Sequence, residues 1–270
     1  MENMRNSKVK VVSVIVPAYK QEATIAKDIS RIKKIMDQSG YKYELIVVID
    51  GKVDKTYENA KKLESSQISV VGYPHNHGKG YAIRYGMVRS KGDIVGFLDS
   101  GMDLNPRGLS FMISQFEKLD ADIIIGSKRH PDSQVNYPLH RRIISFFSQV
   151  YIFALFNLSV RDTQVGMKFF KRKVIEDVLP RLLVKRFAFD IEILVVAYYL
   201  GYKRIFEAPI ELNFNIKDSF VSKDLLRTLL RTFWDSFAIF YRLRLLRYYD
   251  DGNKRKWKYD PELKFQVNVG

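Results

Sequence analysis

In the segment GFLDSGMDL, Asp99 and Asp103 follow an apolar run and straddle Gly101, four positions apart. Carboxylate oxygens are hard ligands for Mg²⁺ or Mn²⁺, ions that commonly join one or two protein acids to the phosphates of a substrate. A glycine between the acids lets the chain turn sharply and bring both toward one ion. The same residues also fit a plain polar turn, in which Asp99 ends a strand and Asp103 caps the helix beginning near Pro106. Asp50 follows another apolar run, with Asp54 four residues on. Its carboxylate can accept a hydrogen bond from a nucleobase or ribose, or cap a helix.

Three cationic clusters in the first 142 residues could meet phosphate. Asn76-His77-Gly78-Lys79-Gly80 opens a helical pattern; its backbone N–H groups and Lys79 can hold phosphate, or form a simple turn. Ser127-Lys128-Arg129-His130 and His140-Arg141-Arg142 supply arginine forks suited to phosphate oxygens, or ordinary solvated charge. Arg141 and Arg142 directly precede a long uncharged stretch. Cations at the edge of an apolar surface are what an amphiphile with a phosphate head and a lipid tail requires.

Strand-forming runs at 11–16, 43–49, 68–71, 93–98 and 122–125 alternate with helical patterns at 23–39, 54–65, 78–90 and 106–119. Such alternation predicts a parallel sheet with helices on both faces. In these sheets ligands bind beyond the carboxyl ends of the strands, where Pro17–Tyr19, Asp50 and Asp99–Asp103 all fall. The second half reads as a helix over 143–160, a turn at 162–166, a short strand near 167–170, a helix over 189–200, and a strand at 205–211 interrupted by Pro209.

The chain has 270 residues, a formal charge of +15 and no cysteine. The last excludes disulfides, thiolate metal sites and cysteine nucleophiles, and fits a reducing compartment. The charge points to an anionic partner: nucleic acid, an acidic membrane surface or a phosphorylated substrate. No nucleic-acid-binding motif accompanies it. Before the first strand there is no apolar segment long enough for a signal peptide or anchor. The uncharged stretch Ile143–Val160 has about the length of a short membrane span, yet contains Ser, Gln and Asn; a soluble or interfacial helix fits it better.

From Ser222 the texture changes. Leu225, Leu226, Leu229, Leu230, Phe233, Trp234, Phe237, Phe240 and Tyr241 recur at helical spacing, punctuated by Arg227, Arg231, Arg242, Arg244 and Arg247. A basic amphipathic helix with aromatics predicts contact with an anionic membrane surface, the plainer reading being a helix packed on the domain or a partner subunit. A polar tail is expected from about Asp250.

The ordered set VIVPAYKQE, VVIDGKVD, NHGKGYAIRYGM, GDIVGFLDSGMD, GSKR, RDTQVGMKFF and RFAFDIEIL resembles the family 2 glycosyltransferases of the GT-A fold. Within them it is similar to polyprenyl-phosphate sugar transferases such as dolichyl-phosphate mannose and glucose synthases. The resemblance covers 11–213. It implies a Rossmann-like α/β GT-A domain over 1–215, leaving 216–270 as the basic helix and tail.

Carried over by position, the resemblance implies that Pro17, Ala18, Tyr19, Gln21, Asp50, Lys79 and Asp99 contact the nucleotide sugar. Gln21 stands where the family usually has Glu, and Ile49 replaces the first acid of its Asp-Asp-Gly. Asp99 matches the first metal-site acid, and Asp103 stands in for the second across a longer interval. Arg129, Arg141, Arg142, Ser145 and Gln164 fall where the family meets the acceptor phosphate. Asp162 belongs to the active-site turn ending at Gly166, and Asp190 and Glu192 to the Phe-Asp-x-Glu segment. The catalytic set is thus Asp99, Asp103, Arg129, Asp162 and Asp190.

The implied activity is inverting transfer of a hexose from a UDP-glucose or GDP-mannose type donor to a polyprenyl or dolichyl phosphate. It would need Mg²⁺ or Mn²⁺ and act peripherally on the cytoplasmic side of a membrane. A hydroxyl acceptor on a glycan or glycolipid would instead demand a general base, for which Asp162, Asp190 and Glu192 are the candidates. Sugar-1-phosphate nucleotidyl transfer would want a glycine-rich loop after the first strand, which VIVPAYKQE lacks. A nucleotide-sugar-binding or membrane scaffold with a degenerate metal site is the non-enzymatic alternative.

Overall fold

The computed structural model describes residues 9–101, 104–136, 139–213, 225–252 and 257–268. The first β-branched run forms β1 (Val11–Ala18), from which Val12, Val14 and Val16 pack to one side and Ile15 to the other. Successive side chains of a strand face opposite ways, so a strand buried on both faces reads as a continuous apolar run. On its flanks β2 (Lys42–Asp50) and β4 (Ile94–Leu98) pair in parallel, and β3 (Ile68–Tyr73) extends the sheet beyond β2. The pairing of β1 with β4 stops at Ile15, so Pro17, which has no N–H to donate, sits beyond that ladder.

Three more strands complete the sheet: β5 (Ile123–Ser127), β7 (Met167–Lys171) and β8 (Ile205–Pro209). The order is β3-β2-β1-β4-β7-β5-β8. All neighbours are parallel except β7, which runs antiparallel between β4 and β5. That reversal brings the start of β7 to the carboxyl end of β4. The strand expected at 205–211 divides after Pro209; β9 (Glu211–Asn213) leaves the main sheet to pair with β6 (Gln134–Asn136).

On one face of the sheet lie α1 (Ile25–Gln38) and α4 (Gly108–Leu119), with Ile25, Ile29, Met112 and Ile113 in the shared core. The other face carries α3 (Lys79–Arg89) and α7 (Phe189–Tyr199). Every residue of α7 from Phe189 to Ala197 is buried, Asp190 and Glu192 included. Buried acids require partners, because an isolated charge in an apolar interior is strongly disfavoured.

Element ends differ from the sequence reading for identifiable reasons. The short helix α2 (Thr56–Lys61) begins after Asp54, whose Oδ1 accepts the Thr56 N–H at 3.0 Å. Next, α5 (Leu139–Phe156) stops before Asn157, which takes a left-handed φ of 50° and donates its N–H to the Phe153 carbonyl at 2.8 Å. Asn is one of the few side chains that tolerates this conformation at a helix end. Between β7 and α7 runs α6 (Arg172–Val178).

The last long helix is α8 (Leu225–Arg244), which packs against α5 through stacked Tyr151 and Phe233 rings, 4.5 Å between centroids. The region expected as a polar tail forms a hairpin of β10 (Trp257–Asp260) and β11 (Phe265–Asn268). Tyr248, Tyr249, Leu263 and Val267 join the same core as α3 and α7. Packing therefore ties the C-terminal segment to the sheet domain. Among the described residues, no helix is long and apolar enough to cross a membrane.

Candidate active site

The carboxyl ends of β1, β2 and β4 meet the amino end of the antiparallel β7. Asp99, one residue past β4, donates its N–H to the Gly166 carbonyl at 2.8 Å. Its Oδ2 receives the Lys79 ammonium at 2.8 Å, while its Oδ1 is buried with no hydrogen-bond partner. Lys79 also reaches Asp190 Oδ2 at 2.9 Å, and Lys168 reaches Asp190 Oδ1 at 2.5 Å. Two carboxylates and two ammonium groups thus alternate along one chain of contacts, Asp99–Lys79–Asp190–Lys168.

Burial and charge compete along that chain. Desolvation pushes the Asp99 carboxyl up, against the pull of Lys79. Desolvation also disfavours the charged Asp190, but the ammonium groups of Lys168 and Lys79 outweigh it and hold Asp190 below the usual carboxylate range. Burial opposes the charge on Lys79, yet Asp190 and Asp99 together hold it above an ordinary lysine. Lys168, fully buried in β7, is lowered because desolvation there exceeds the attraction of Asp190.

Glycines place Lys79. A side chain on Gly78, whose φ is 106°, would meet the Lys185 carbonyl at 2.6 Å, and one on Gly80 would meet Phe189 at 2.4 Å. The loop therefore sits directly on the segment leading into α7. Asp50 holds the same loop from the other side. It accepts from Tyr73 Oη at 2.9 Å, Asn76 Nδ2 at 2.8 Å and the N–H groups of His77 and Gly78 at 2.8 and 3.0 Å. Its carboxylate faces into the loop rather than outward.

Gln21, the family departure, has its Oε1 buried without a partner, and its Nε2 lies 3.4 Å from where a Gly101 Cβ would stand. Gly101 has a φ of 111° and donates its N–H to Asp28 Oδ2 at 3.1 Å. Ser100 Oγ donates to the Pro17 carbonyl at 2.5 Å, tying the turn that follows β1 to the acidic one. Tyr19 lies just past β1, with Lys20 over its ring at 5.4 Å. Asp103 lies outside the described residues.

Two oxygen acceptors without donors, on Asp99 and Gln21, suit a hard divalent cation. Among the described residues no group of three or more acids and histidines could hold a metal. An ion here would keep few protein ligands and take the rest from water and substrate phosphates, as Mg²⁺ characteristically does.

A second charged group flanks the first. Asp162 is buried and receives the Lys128 ammonium at 2.8 Å, together with the N–H groups of Lys128 at 3.1 Å and Gln164 at 3.2 Å. Arg129 reaches Ser145 Oγ at 3.5 Å and lies 5.8 Å from the Phe146 ring. Arg142 is exposed, its guanidinium 3.5 Å from the Val135 carbonyl. Arg141 falls in the first turn of α5, its side chain outside the described atoms.

Beyond them lies an apolar groove of about 400 Å³ between α5 and α8. Phe147, Tyr151, Leu230 and Phe233 line its walls, and Gln164 and Ile191 its inner end. Ile191 stands between Asp190 and Glu192 on α7, so the groove abuts the helix that carries the charged centre. Glu192 itself points away from both. Fully buried, it accepts from the N–H groups of Leu183 at 3.0 Å and Val184 at 2.8 Å and from Tyr249 Oη at 2.8 Å, with Arg242 at 3.5 Å.

The structure thus brings Asp99, Lys79 and Asp190 into one cluster and Arg129 and Ser145 into another. Asp50 and Glu192 stand behind as supports. Lys168 escaped the sequence reading; its signal is a lone charge in the buried run GMKFF, facing an acid in an equally apolar helix. Lys128, part of the cationic cluster at 127–130, holds Asp162.

A parallel sheet with acids and lysines at its carboxyl edge and one reversed strand defines a GT-A fold. The glycosyl transferase family 2 model matches residues 13–179, and the chain belongs to that family. A dolichyl-phosphate beta-glucosyltransferase of Trichomonas vaginalis is 30% identical over 87% of this chain and 75% of its own. One of Drosophila melanogaster is 34% identical over 68% of this chain. The chain spans 62% of the Drosophila protein and of a Dictyostelium discoideum relative of the same name. Among solved structures, a glucosyl-3-phosphoglycerate synthase from Mycobacterium tuberculosis with Mn²⁺, UDP and product superposes with a TM-score of 0.63. It is 21% identical, over 92% of this chain and 85% of that one.

Proposed function

We propose that the protein transfers glucose from a nucleotide-diphosphate donor to a polyprenyl phosphate at a membrane surface. The observation that carries this reading is the apolar groove between α5 and α8, whose inner end adjoins the charged centre at Gln164 and Ile191. A site for an isoprenoid chain beside a site for phosphate is what such an acceptor needs. The names of the relatives support glucose as the sugar and a dolichyl-type phosphate as the acceptor.

The three acids able to serve as a general base favour the same acceptor. Lys79 and Lys168 hold Asp190 as a weak base, Lys128 occupies Asp162, and Glu192 is buried facing other partners. A sugar hydroxyl would need one of them to take its proton. A phosphomonoester has a second pKa of about 6, so its oxygen is already anionic near neutral pH and needs no base.

In this mechanism the turn at Pro17, Ala18 and Tyr19, stapled by Ser100, receives the nucleoside, with Gln21 beside it. Asp50 fixes the loop that presents Lys79 to the diphosphate. Asp99, through its free Oδ1, and Asp103 would hold a Mg²⁺ or Mn²⁺ ion. When bound there, such an ion would supply Lewis-acid stabilisation of the charge on the leaving diphosphate. Arg129, Arg141, Arg142 and Ser145 orient the acceptor phosphate at the mouth of the groove, mainly a proximity contribution. Attack from the face opposite the leaving group gives a β-linked product from an α-linked donor.

The exposed apolar residues of α8 (Leu230, Phe233, Trp234, Phe237 and Tyr241), with Arg227 and Arg231 beside them, would lie against anionic lipid. Incubating the protein with labelled UDP-glucose, Mg²⁺ and polyprenyl phosphate in vesicles should yield an acid-labile glycolipid. Equal transfer to the polyprenol lacking phosphate, or no transfer from any UDP or GDP sugar, would sink the reading.

A further inference from the structure

We propose that Lys79 is the resident counter-cation of the metal site, displaced from Asp99 when a divalent ion binds and passed to an oxygen of the donor diphosphate. The inference deepens the reading above and rests on Asp99 as a metal-binding acid. It concerns what the site does before the substrate arrives.

The geometry makes Asp99 and Asp190 unequal partners of this lysine. Lys79 bonds both, at 2.8 and 2.9 Å. Asp190 has a second cation in Lys168 at 2.5 Å, so it keeps a counter-charge if Lys79 turns away. Among the described residues Asp99 is in direct contact with no second cation, Lys168 acting on it only from a longer distance, and its Oδ1 is buried without a hydrogen bond. An ion bound through Asp99 would place a double charge close to the ammonium. Their repulsion, twice that of two unit charges at the same distance, acts in a partly desolvated site where screening is weak. The divalent ion and the ammonium therefore compete for one carboxylate.

The loop is built so that only the side chain has to move. Asp50 fixes the backbone at His77 and Gly78, and Gly78 and Gly80 lie against Lys185 and Phe189. A lysine has a flexible four-carbon stem and three rotatable donors, so it can leave Asp99 while its backbone stays in place. Its first turn also faces the site, because Lys79 opens α3, whose N-terminal end favours anions. A diphosphate entering there gives the released ammonium a new partner.

Two consequences follow for binding. Metal alone must break the Lys79–Asp99 pair, so it binds weakly. Metal with a nucleoside diphosphate binds well, because the diphosphate takes Lys79 as well as the ion. Lys79 thereby contributes to a positive coupling between metal and donor, and linkage makes that coupling reciprocal.

The test measures Mn²⁺ binding to the full chain by the loss of its free-ion EPR signal at pH 8, with and without UDP. It compares wild type with Lys79→Met, Lys79→Gln and Lys128→Gln, each checked for cooperative melting. Without UDP, both Lys79 variants should bind Mn²⁺ about tenfold more tightly than wild type, within the usual range of coupling between sites. Lys128→Gln, which removes a positive charge from the neighbouring Asp162 turn without touching Asp99, should stay near wild type. UDP should improve Mn²⁺ affinity more in wild type than in either Lys79 variant. Unchanged or weaker Mn²⁺ binding in both Lys79 variants, or equal tightening in Lys128→Gln, would overturn the displacement. If UDP fails to promote Mn²⁺ binding in every protein, Asp99 as a metal acid fails and the inference falls with it. If UDP promotes it throughout while the Lys79 variants show no tightening, only the displacement fails.

Discussion

A Cβ on Gly166 would stand 1.8 Å from Oδ2 of Asp99. The same glycine accepts the Asp99 N–H through its carbonyl at 2.8 Å, so the two residues are locked in register across β4 and β7. No side chain fits between them without moving the carboxylate. Gly166→Ala should therefore displace Asp99 from Lys79 and abolish Mn²⁺-dependent transfer. Its melting temperature should fall by about 2–10 °C without loss of cooperative unfolding, the mark of about 1–3 kcal/mol of overpacking strain. Activity within twofold of wild type would show that Asp99 does not act from this position.

The two acids of GFLDSGMDL should respond unequally. Asp99 is held by Gly166 and Lys79, while Gly101 turns the chain with its N–H on Asp28. Asp99→Ala should reduce turnover by at least about a thousandfold, the scale for losing a principal electrostatic contribution to the transition state. Asp103→Ala should reduce it far less, because the longer interval fits a ligand acting through water. Steady-state rates across a Mn²⁺ titration separate the two; equal losses would make Asp103 a direct ligand.

Periodicity and turn residues made most of the sheet legible in the sequence. The runs that became β1, β2 and β4 are β-branched and end in polar turns, and that alone places Pro17, Asp50 and Asp99 at one edge. The reversal of β7 was not legible, because a short apolar run such as GMKFF carries no signal of strand direction; its neighbours decide its orientation. Nor was the chain of ion pairs. Lys168 and Asp190 lie 22 positions apart and meet only because a reversed strand passes beneath α7. The hairpin at the C-terminus was hidden by its composition. Its strands mix polar and aromatic residues, and among the described residues there Leu263 and Val267 are buried in the core with Phe265 packed against it.

Glu192 has a structural consequence that pH should reveal. Desolvation raises its carboxyl above the ordinary value, although Val184, Tyr249, Arg242 and Leu183 all favour its charged form. A raised folded value means that its proton favours the native state. That contribution is complete below the unfolded pKa of about 4.3 and is lost as pH rises through the folded value. Glu192→Gln removes the titration, so the stability difference between wild type and variant should change with pH above about 4.3 and be flat below it. Urea melts from pH 3 to 8 measure this. A difference that does not vary across that range would contradict the raised carboxyl.

A test of the proposed membrane attachment calls for point substitutions rather than truncation. Removing 222–249 would take away Arg242 and Tyr249, which contact the buried Glu192, and Ile239 and Leu243, which fill the core. A truncated protein could lose lipid binding merely by unfolding. Trp234 and Phe147 are both 65% exposed, on α8 and α5. Stacked Tyr151 and Phe233 join those helices, so the two residues probe one surface. Trp234→Glu and Phe147→Glu should leave the melting temperature within a few degrees, since exposed substitutions usually change stability by under about 0.5 kcal/mol. Together they should lower binding to anionic vesicles at least tenfold, because each removes apolar contact and adds a charge of the lipid's own sign. Transfer to a short, water-soluble isoprenyl phosphate should remain when Trp234 alone is changed, because Trp234 does not line the groove. Vesicle sedimentation unaffected by the double substitution would assign this face to another partner.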